Sequence, residues 1–590
     1  MSGRLLLVGW EVGDAQCLHP LTDAGELPTF GRLLEAGIGG PLMASRPLVD
    51  AALWASLATG KRAWQHGVLA PSRAGAPDAR GERRALALWD ILGRESRRSL
   101  VVGWPTTHGP REHLGALVSD RFPIPTAPPG QSWPSAPVGT YDPPELAERL
   151  DPCRIRPDQI GADAIAEFVP GWQTVDQSRD RRLAQLRILL AADLSFHAAL
   201  TALMSENDWS LATVRFRSIG EIWRLFGADH LAGTGPFRNV VRSAYGFLDR
   251  MLGAFVAQSG PDTAVVVVTA GGVAWSPDRR MLSASPQGYA VFSGPGFVSD
   301  ELLHGTSALD VAPTLLQWFG LRVGEDMEGQ VRCECFAAPQ AVLTRPTWET
   351  GESETNDPPS TTDTSQLWNY ACACLDGSRL DLTLPALERL FVSFPENLAF
   401  AEALFKTQLA LGLCDEAAQT LKVLEEVGGS TPGILVAAAE LAMVRKETRR
   451  AREMVRNVVA QAPLPLGVWR RIGLLLAGLR EWEELEKFAR RLIQHADRDE
   501  IAWLGLAEAS LRLGNPRAAA AAAQQAIKLR FYFPEAHMAL ARALAQDGMP
   551  LAAIEVTERL LKIHPDHAAA RVYLRRLRRS LALPRQETPA

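Results

Sequence analysis

The chain has 590 residues, a formal net charge of −5 and an apolar fraction of 47%, longer than one hydrophobic core and ordinary in composition for globular protein. So slight an acidity excludes a general electrostatic attraction to nucleic acid or anionic membrane. Seven cysteines, an odd number over a long chain, exclude a disulfide framework.

The first predicted element is a buried strand, an apolar run over residues 5–8 that stops at Gly9 and is followed by the helical stripe Leu27, Phe30, Leu33 and Leu34. The run is too short, and too soon followed by Glu11 and Asp14, for a signal-peptide core. No uninterrupted apolar stretch reads as long enough to span a bilayer, so the expected compartment is the cytoplasm, without membrane insertion. Pro47 and Gly60 then bracket a short helix with Leu53, Trp54 and Leu57 apolar. Over residues 158–207 a helical insertion repeats Leu183, Leu186, Leu190 and Leu194 as a packing stripe, with the arginine run 179–187 as its solvated face. DTAVVVVTAGG is a second buried, parallel-type strand, and GYAVFSGPGF and ALDVAPTLLQWFGLRVGEDMEG complete the set. Strands alternating with helices over about three hundred residues predict an α/β sheet covered on both faces.

Residues 337–366, rich in Pro, Thr, Ser, Glu and Asp and without a period, read as a flexible linker. Beyond it, positions 399, 433, 467, 501 and 535 step by 34 residues, the tetratricopeptide length. Ala401, Leu435, Trp469, Trp503 and His537 form one column, Phe405, Ala439, Gly473, Ala507 and Ala541 a second, and Ala417, Ala451, Leu485, Ala519 and Ala553 a third. Small residues recur where helices cross closely. Gly412, Gly514 and Gly548 fall in the turns. An irregular unit over 367–397 reads as the N-terminal cap, and the basic helix 568–580, with Arg571, Arg575, Arg576, Arg578 and Arg579, as a solvated C-terminal cap rather than a nucleic-acid site. The C-x-C pairs Cys333/Cys335 and Cys372/Cys374 lack zinc-finger spacing and an accompanying histidine.

LLLVGWE, LWASLATGKRAWQHGV, VVGWPTTHGP with LVSDRF, and ALDVAPTLLQWFGLRVGEDMEG together resemble the type I phosphodiesterase/nucleotide pyrophosphatase branch of the alkaline-phosphatase superfamily, in the bacterial form fused to tetratricopeptide repeats. The resemblance implies an alkaline-phosphatase-like α/β sandwich with a mainly parallel central sheet over residues 1–336, the insertion 158–207 forming a cap, and an all-α tetratricopeptide solenoid over 367–585. It also implies a two-metal site. Carried onto this chain, the ligands and nucleophile of that site fall on Glu11, Asp50, Gly220, Arg224, Ala270, Gly271 and Ala284.

Two-cation phosphoryl chemistry needs carboxylate and imidazole ligands, which glycine and alanine do not supply. The expectation is therefore a pseudoenzyme without metal or other cofactor. Arg224, with Arg217, is expected to pair with Asp50 or Glu11 where metals would sit; the alternative is a surface arginine on a helix. His66 reads as a hydrogen-bonded core or turn histidine. His108 is weighed between core and the lining of a residual ligand cleft. Three functions follow: an inactive scaffold or regulator binding a protein or peptide in the tetratricopeptide groove, an active phosphodiesterase with an atypical site, and a metal-free anion or nucleotide sensor using His108, Arg217 and Arg224.

Overall fold

The computed structural model describes all residues except 1–2, 71–82, 110–112, 124–131, 207, 277–280, 339, 351–362, 462–463, 497–498, 531–532, 564–566 and 581–590. The N-terminal half is built on one sheet. Its strands are β1 (Arg4–Trp10), β2 (Gly37–Met43), β3 (Ser99–Val102), β4 (Gly115–Val118), β5 (Tyr141–Asp142), β6 (Leu211–Phe216) and β7 (Thr263–Thr269). A separate hairpin, β8 (Gly272–Ser276) with β9 (Met281–Ser285), precedes the remaining sheet strands β10 (Gln287–Ser293), β11 (Glu301–Leu302) and β12 (Thr306–Ser307). The order is β11-β2-β10-β7-β1-β6-β3-β4-β5, with β12 also on β2. Strands β7, β1, β6, β3 and β4 run parallel, while β10 and β5 join antiparallel.

The central strands are continuously apolar because both faces are covered. Leu6, Val8, Trp10, Val214 and Phe216 face one core, packed by the helices Pro28–Glu35, Arg182–Met204 and Val240–Ser259. Leu5, Leu7, Leu211, Val266 and Val268 face the other, packed by Asp50–Thr59, Leu88–Arg94 and Val311–Trp318. The insertion thus differs from the expected cap: its long helix, Arg182–Met204, lies on β3 and β6 and against the helix Ser218–Ala232 as a layer of the domain. Contrary to the sequence reading, this helix is long and apolar enough to cross a membrane. Half of that apolar stretch is buried in the domain instead.

The predicted linker begins as ordered chain. Residues 344–345 pair with 323–324, and the Trp348 side chain is buried. Lys61, itself buried, holds this segment with Asp326 at 2.6 Å and Glu349 at 2.9 Å. Burial raises the Glu349 carboxyl, but hydrogen bonds from Thr347 and Lys61 and the Lys61 charge overcome it, leaving the group at about 2. Composition concealed this strap because one tryptophan and one carboxylate suffice to dock it. The linker's middle, 351–362, and the repeat domain's end, 581–585, lie outside the described residues. The compact N-terminal unit runs to Leu382, not to 336. It includes the helix Thr364–Asp376, where Asn369 donates to the Leu69 carbonyl at 2.7 Å and Arg62 pairs with Asp376.

In the second unit, Thr383–Ala590, every regular element among the described residues is a helix. Helix pairs recur as Leu398–Ala410 with Cys414–Gly428, Pro432–Val444 with Thr448–Val459, Leu466–Gly478 with Trp482–His495, Glu500–Arg512 with Pro516–Leu529, and Pro534–Gln546 with Pro550–Ile563. Ala401, Phe405, Ala439, Ala507 and Ala541 are buried where the pairs cross, as are Ala417, Ala451, Leu485, Ala519 and Ala553. The turns carry a signature absent from the composition. Ser378, Gly412, Lys446, Arg480, Gly514 and Gly548 all have φ between 56° and 81°, one every 34 residues. The unit read as irregular is therefore in phase with the rest, and its turn is left-handed without a glycine. The last helix, Ala568–Ser580, buries Ala570, Leu574 and Leu577 and turns Arg571, Arg575, Arg576 and Arg579 to solvent, as a capping helix should.

Candidate active-site region

The region at the carboxyl ends of β1 and β6 is organised by a glycine opposite an arginine. In the parallel register Gly9 stands beside Arg215, and both lie on the face covered by the helix Asp50–Thr59. A Cβ on Gly9 would stand 2.5 Å from Cη2 of Trp54. Its absence lets the indole lie on the strand. The Arg215 guanidinium lies 5.2 Å from the Trp54 ring centroid, a cation–π arrangement in a largely water-free setting. Trp104 packs edge-on to Trp54 at 5.1 Å and donates to Thr213 Oγ1 at 2.9 Å, closing the wall around the arginine.

Arg215 is 3% exposed, yet it reaches two carboxylates at the mouth. Its Nη2 donates to Asp50 Oδ1 at 2.5 Å and lies 4.0 Å from Glu11 Oε1. Burial opposes the guanidinium's charge, but Asp50, Glu11 and Asp120 outweigh it and hold the group above its ordinary value. Glu11 is pushed up to about 8, first by burial and then by Asp50, with Arg215 and Arg217 pulling the other way. At neutral pH Glu11 is thus mostly a neutral acid. Asp120, from the LVSDRF segment, is also raised by burial, against the charges of Arg215 and Arg217.

Glu11 has its space because position 220 is glycine. A Cβ there would lie 2.6 Å from Glu11 Cδ and 2.8 Å from its Oε2. The carboxyl group therefore rests against the first turn of Ser218–Ala232, close to the positive end of that helix. Glu11 and Gly220 fit as a pair: a longer acid on the loop, no side chain on the helix.

Arg224 does not take part, which corrects the expected ion pair. It is exposed and pairs with Glu221 at 2.5 Å, because its helix buries Ile219, Ile222, Trp223 and Phe226 and turns position 224 outward. Arg217 is exposed beside the cluster and forms no ion pair among the described residues; its charge still reaches Glu11, Asp120 and Asp193. Ala270 is buried in the apolar core, and the Gly271 carbonyl accepts from Gly13 N–H at 2.8 Å, tying the ends of β1 and β7 together. Ala284 is exposed, facing Val273 in the hairpin. His108 is 2% exposed with Nδ1 3.1 Å from Ser119 Oγ, so it lies in the core rather than in a ligand cleft. His66 is a core histidine: Nδ1 accepts Val68 N–H at 3.1 Å, so Nε2–H faces Ser56 Oγ at 3.0 Å, and burial lowers the ring to about 3.

Sequence reasoning missed Arg215, Asp120 and the Gly9–Trp54 contact. A signal existed for the first, since a charge inside the apolar strand LATVRF demands a partner. At the seven positions to which the resemblance assigns ligands and nucleophile, only Glu11, Asp50 and Arg224 carry charged groups. Two of these face a guanidinium, and the third faces outward. That donor set does not fit a two-cation centre.

Residues 7–284 match the family of type I phosphodiesterases/nucleotide pyrophosphatases. The N-terminal domain is a domain of that family, within the alkaline-phosphatase superfamily, and tetratricopeptide-like helical repeats follow it. No curated protein sequence matches the chain. Among solved structures, a tetratricopeptide repeat protein from Parabacteroides merdae shares 13% identity over 37% of this chain and 86% of that one, with a TM-score of 0.31. YrrB, described as a tetratricopeptide repeat protein with an unusual peptide-binding site, shares 14% over 32% and 98%, with a TM-score of 0.26. The Cut9–Hcn1 hetero-tetramer of APC/C shares 14% over 36% of this chain but only 42% of that one, with a TM-score of 0.32.

Proposed function

We propose that the N-terminal domain is a phosphodiesterase fold without hydrolytic activity, kept as a scaffold or regulatory body, and that the repeat domain binds a protein or peptide partner in its groove. The observation that carries the reading is Arg215. A buried guanidinium bonded to Asp50 and facing Glu11 puts a fixed positive charge among the acidic groups of the site, and it offers neither a Lewis-acid position nor an activated nucleophile. Asp50 is committed to that bond, which lowers its value as a nucleophile. In the repeat domain Arg471 reaches Glu440 at 2.6 Å and Glu402 at 3.0 Å, and Arg542 reaches Glu508 at 3.6 Å. These pairs lace the first helices of successive repeats along one face, which supports a continuous groove.

The test is metal analysis of purified protein together with turnover of a chromogenic phosphodiester. The expected result is no stoichiometric metal and no hydrolysis above buffer. Stoichiometric zinc or manganese with turnover lost in Asp50→Ala would defeat the reading in favour of an active enzyme with an atypical site. A second reading, a metal-free anion or nucleotide sensor, keeps one observation in its favour, the exposed Arg217 without an ion pair among the described residues. A melting temperature raised by one member of an anion panel, and not in Arg217→Ala, would support it.

A further inference from the structure

We infer that the cavity enclosed by the helices Ala15–Asp23, Ser218–Ala232 and Val240–Ser259 binds a small aromatic or heteroaromatic amine. Its volume, about 430 Å³, is that of a small-ligand site. It lies beyond the carboxyl ends of β1 and β7, between Asp14 and Val273, in the crevice where parallel α/β sheets place ligands. The site is separate from the Arg215 cluster and does not rest on the loss of hydrolysis.

The lining selects the ligand. Trp223 Nε1 donates to Tyr245 Oη at 3.0 Å, and the Tyr245 hydroxyl donates to the Val12 carbonyl at 3.0 Å. Both rings are fixed and their polar atoms satisfied, which leaves a rigid aromatic wall. His230 Nδ1 lies 3.2 Å from the Arg238 carbonyl. A carbonyl only accepts, so in the neutral ring Nδ1 carries the proton and Nε2 is an acceptor. Asp14 accepts Cys17 N–H at 2.9 Å through Oδ1 and is held in place as the cap of its helix. Glu26 pairs with Arg242 at the rim. Two carboxylates against one guanidinium leave one negative charge in the lining. Aromatic surface, acceptors and a net negative charge suit a planar group that carries a protonated amine, and disfavour phosphate or carboxylate ligands.

Tryptamine, indole and indole-3-acetate keep one ring and vary the charge, and calorimetric titration of the full chain reads all three. Tryptamine is expected to saturate and to bind at least about tenfold more tightly than indole-3-acetate. Asp14→Asn keeps an oxygen for the helix cap and is expected to bring tryptamine and indole to equal affinity. Ala24→Trp, at an exposed lining position, fills the cavity and is expected to abolish binding of all three while the circular dichroism stays unchanged. Absence of saturable tryptamine binding, equal affinity for the acid, an amine preference that survives Asp14→Asn, or binding unaffected by Ala24→Trp would each overturn the inference.

Discussion

Arg215 and Asp50 are unequal partners, and the inequality can be measured. Asp50→Ala leaves a buried guanidinium without its bonded partner, with a mostly neutral Glu11 and the charge of Asp120 near it, whereas Arg215→Met keeps the stem against Trp54 and leaves Asp50 reaching water. Because the Asp50 side chain is 44% exposed, its loss is expected to cost about 2 kcal/mol, less than for a fully buried pair. Arg215→Met is expected to cost under about 1.5 kcal/mol. Urea midpoints in which the arginine variant is the less stable of the two would show that packing, not charge, holds the site. Glu11 adds a pH dependence of definite sign. Its folded value of about 8 lies above the ordinary 4.5, so the native state holds the extra proton between those values. Stability should therefore fall as pH rises from 4.5 to 8, by at most about 1.4 kcal/mol per pH unit, and level off above. Glu11→Gln should remove this slope from denaturation midpoints taken at pH 5 and pH 8.5. Glu11 and Asp50 were legible in the sequence as acids at the site. Arg215 was not, because its partner Asp50 lies 165 residues earlier and only the fold brings the two together.

At the scale of elements, the fit of Glu11 to Gly220 couples a loop to a helix. Gly220→Asp alone would force its Cβ into the Glu11 carboxyl and is expected to cost about 1–3 kcal/mol. Shortening the loop acid in Glu11→Asp should recover about 1 kcal/mol of that loss in a double-mutant cycle. A coupling near zero would mean that the loop moves aside freely. The repeat turns allow a stabilising change instead. Arg480 holds φ at 60° and Lys446 at 63°, where three other repeats have Gly412, Gly514 and Gly548. Arg480→Gly is expected to stabilise the repeat domain by about 0.5–1 kcal/mol, read from its thermal or urea transition. Strands and helices were legible here because strands covered on both faces are continuously apolar and helix burial follows a stripe of period 3.6. The left-handed turns at Ser378, Lys446 and Arg480 were not, since backbone sign leaves no mark on a polar residue. The 344–349 strap was likewise hidden, because its docking depends on Lys61, nearly three hundred residues earlier.

For the whole molecule, the domain order α/β then repeats was readable from periods alone, and the boundary was not. The compact first unit takes in Trp348 and the helix Thr364–Asp376, which composition had assigned to linker and repeat. The Arg215 cluster has a consequence at this scale. A carboxylate pair held by dissolved ions depends on what the surroundings supply, and a chelator can strip it. Here the positive charge is written into the β6 codons and arrives with translation. Thermal unfolding of the full chain is therefore expected to be the same with and without EDTA, and a melting point several degrees lower in chelator would reveal a resident ion. A charge carried by the chain itself is there in metal-poor and metal-rich surroundings alike.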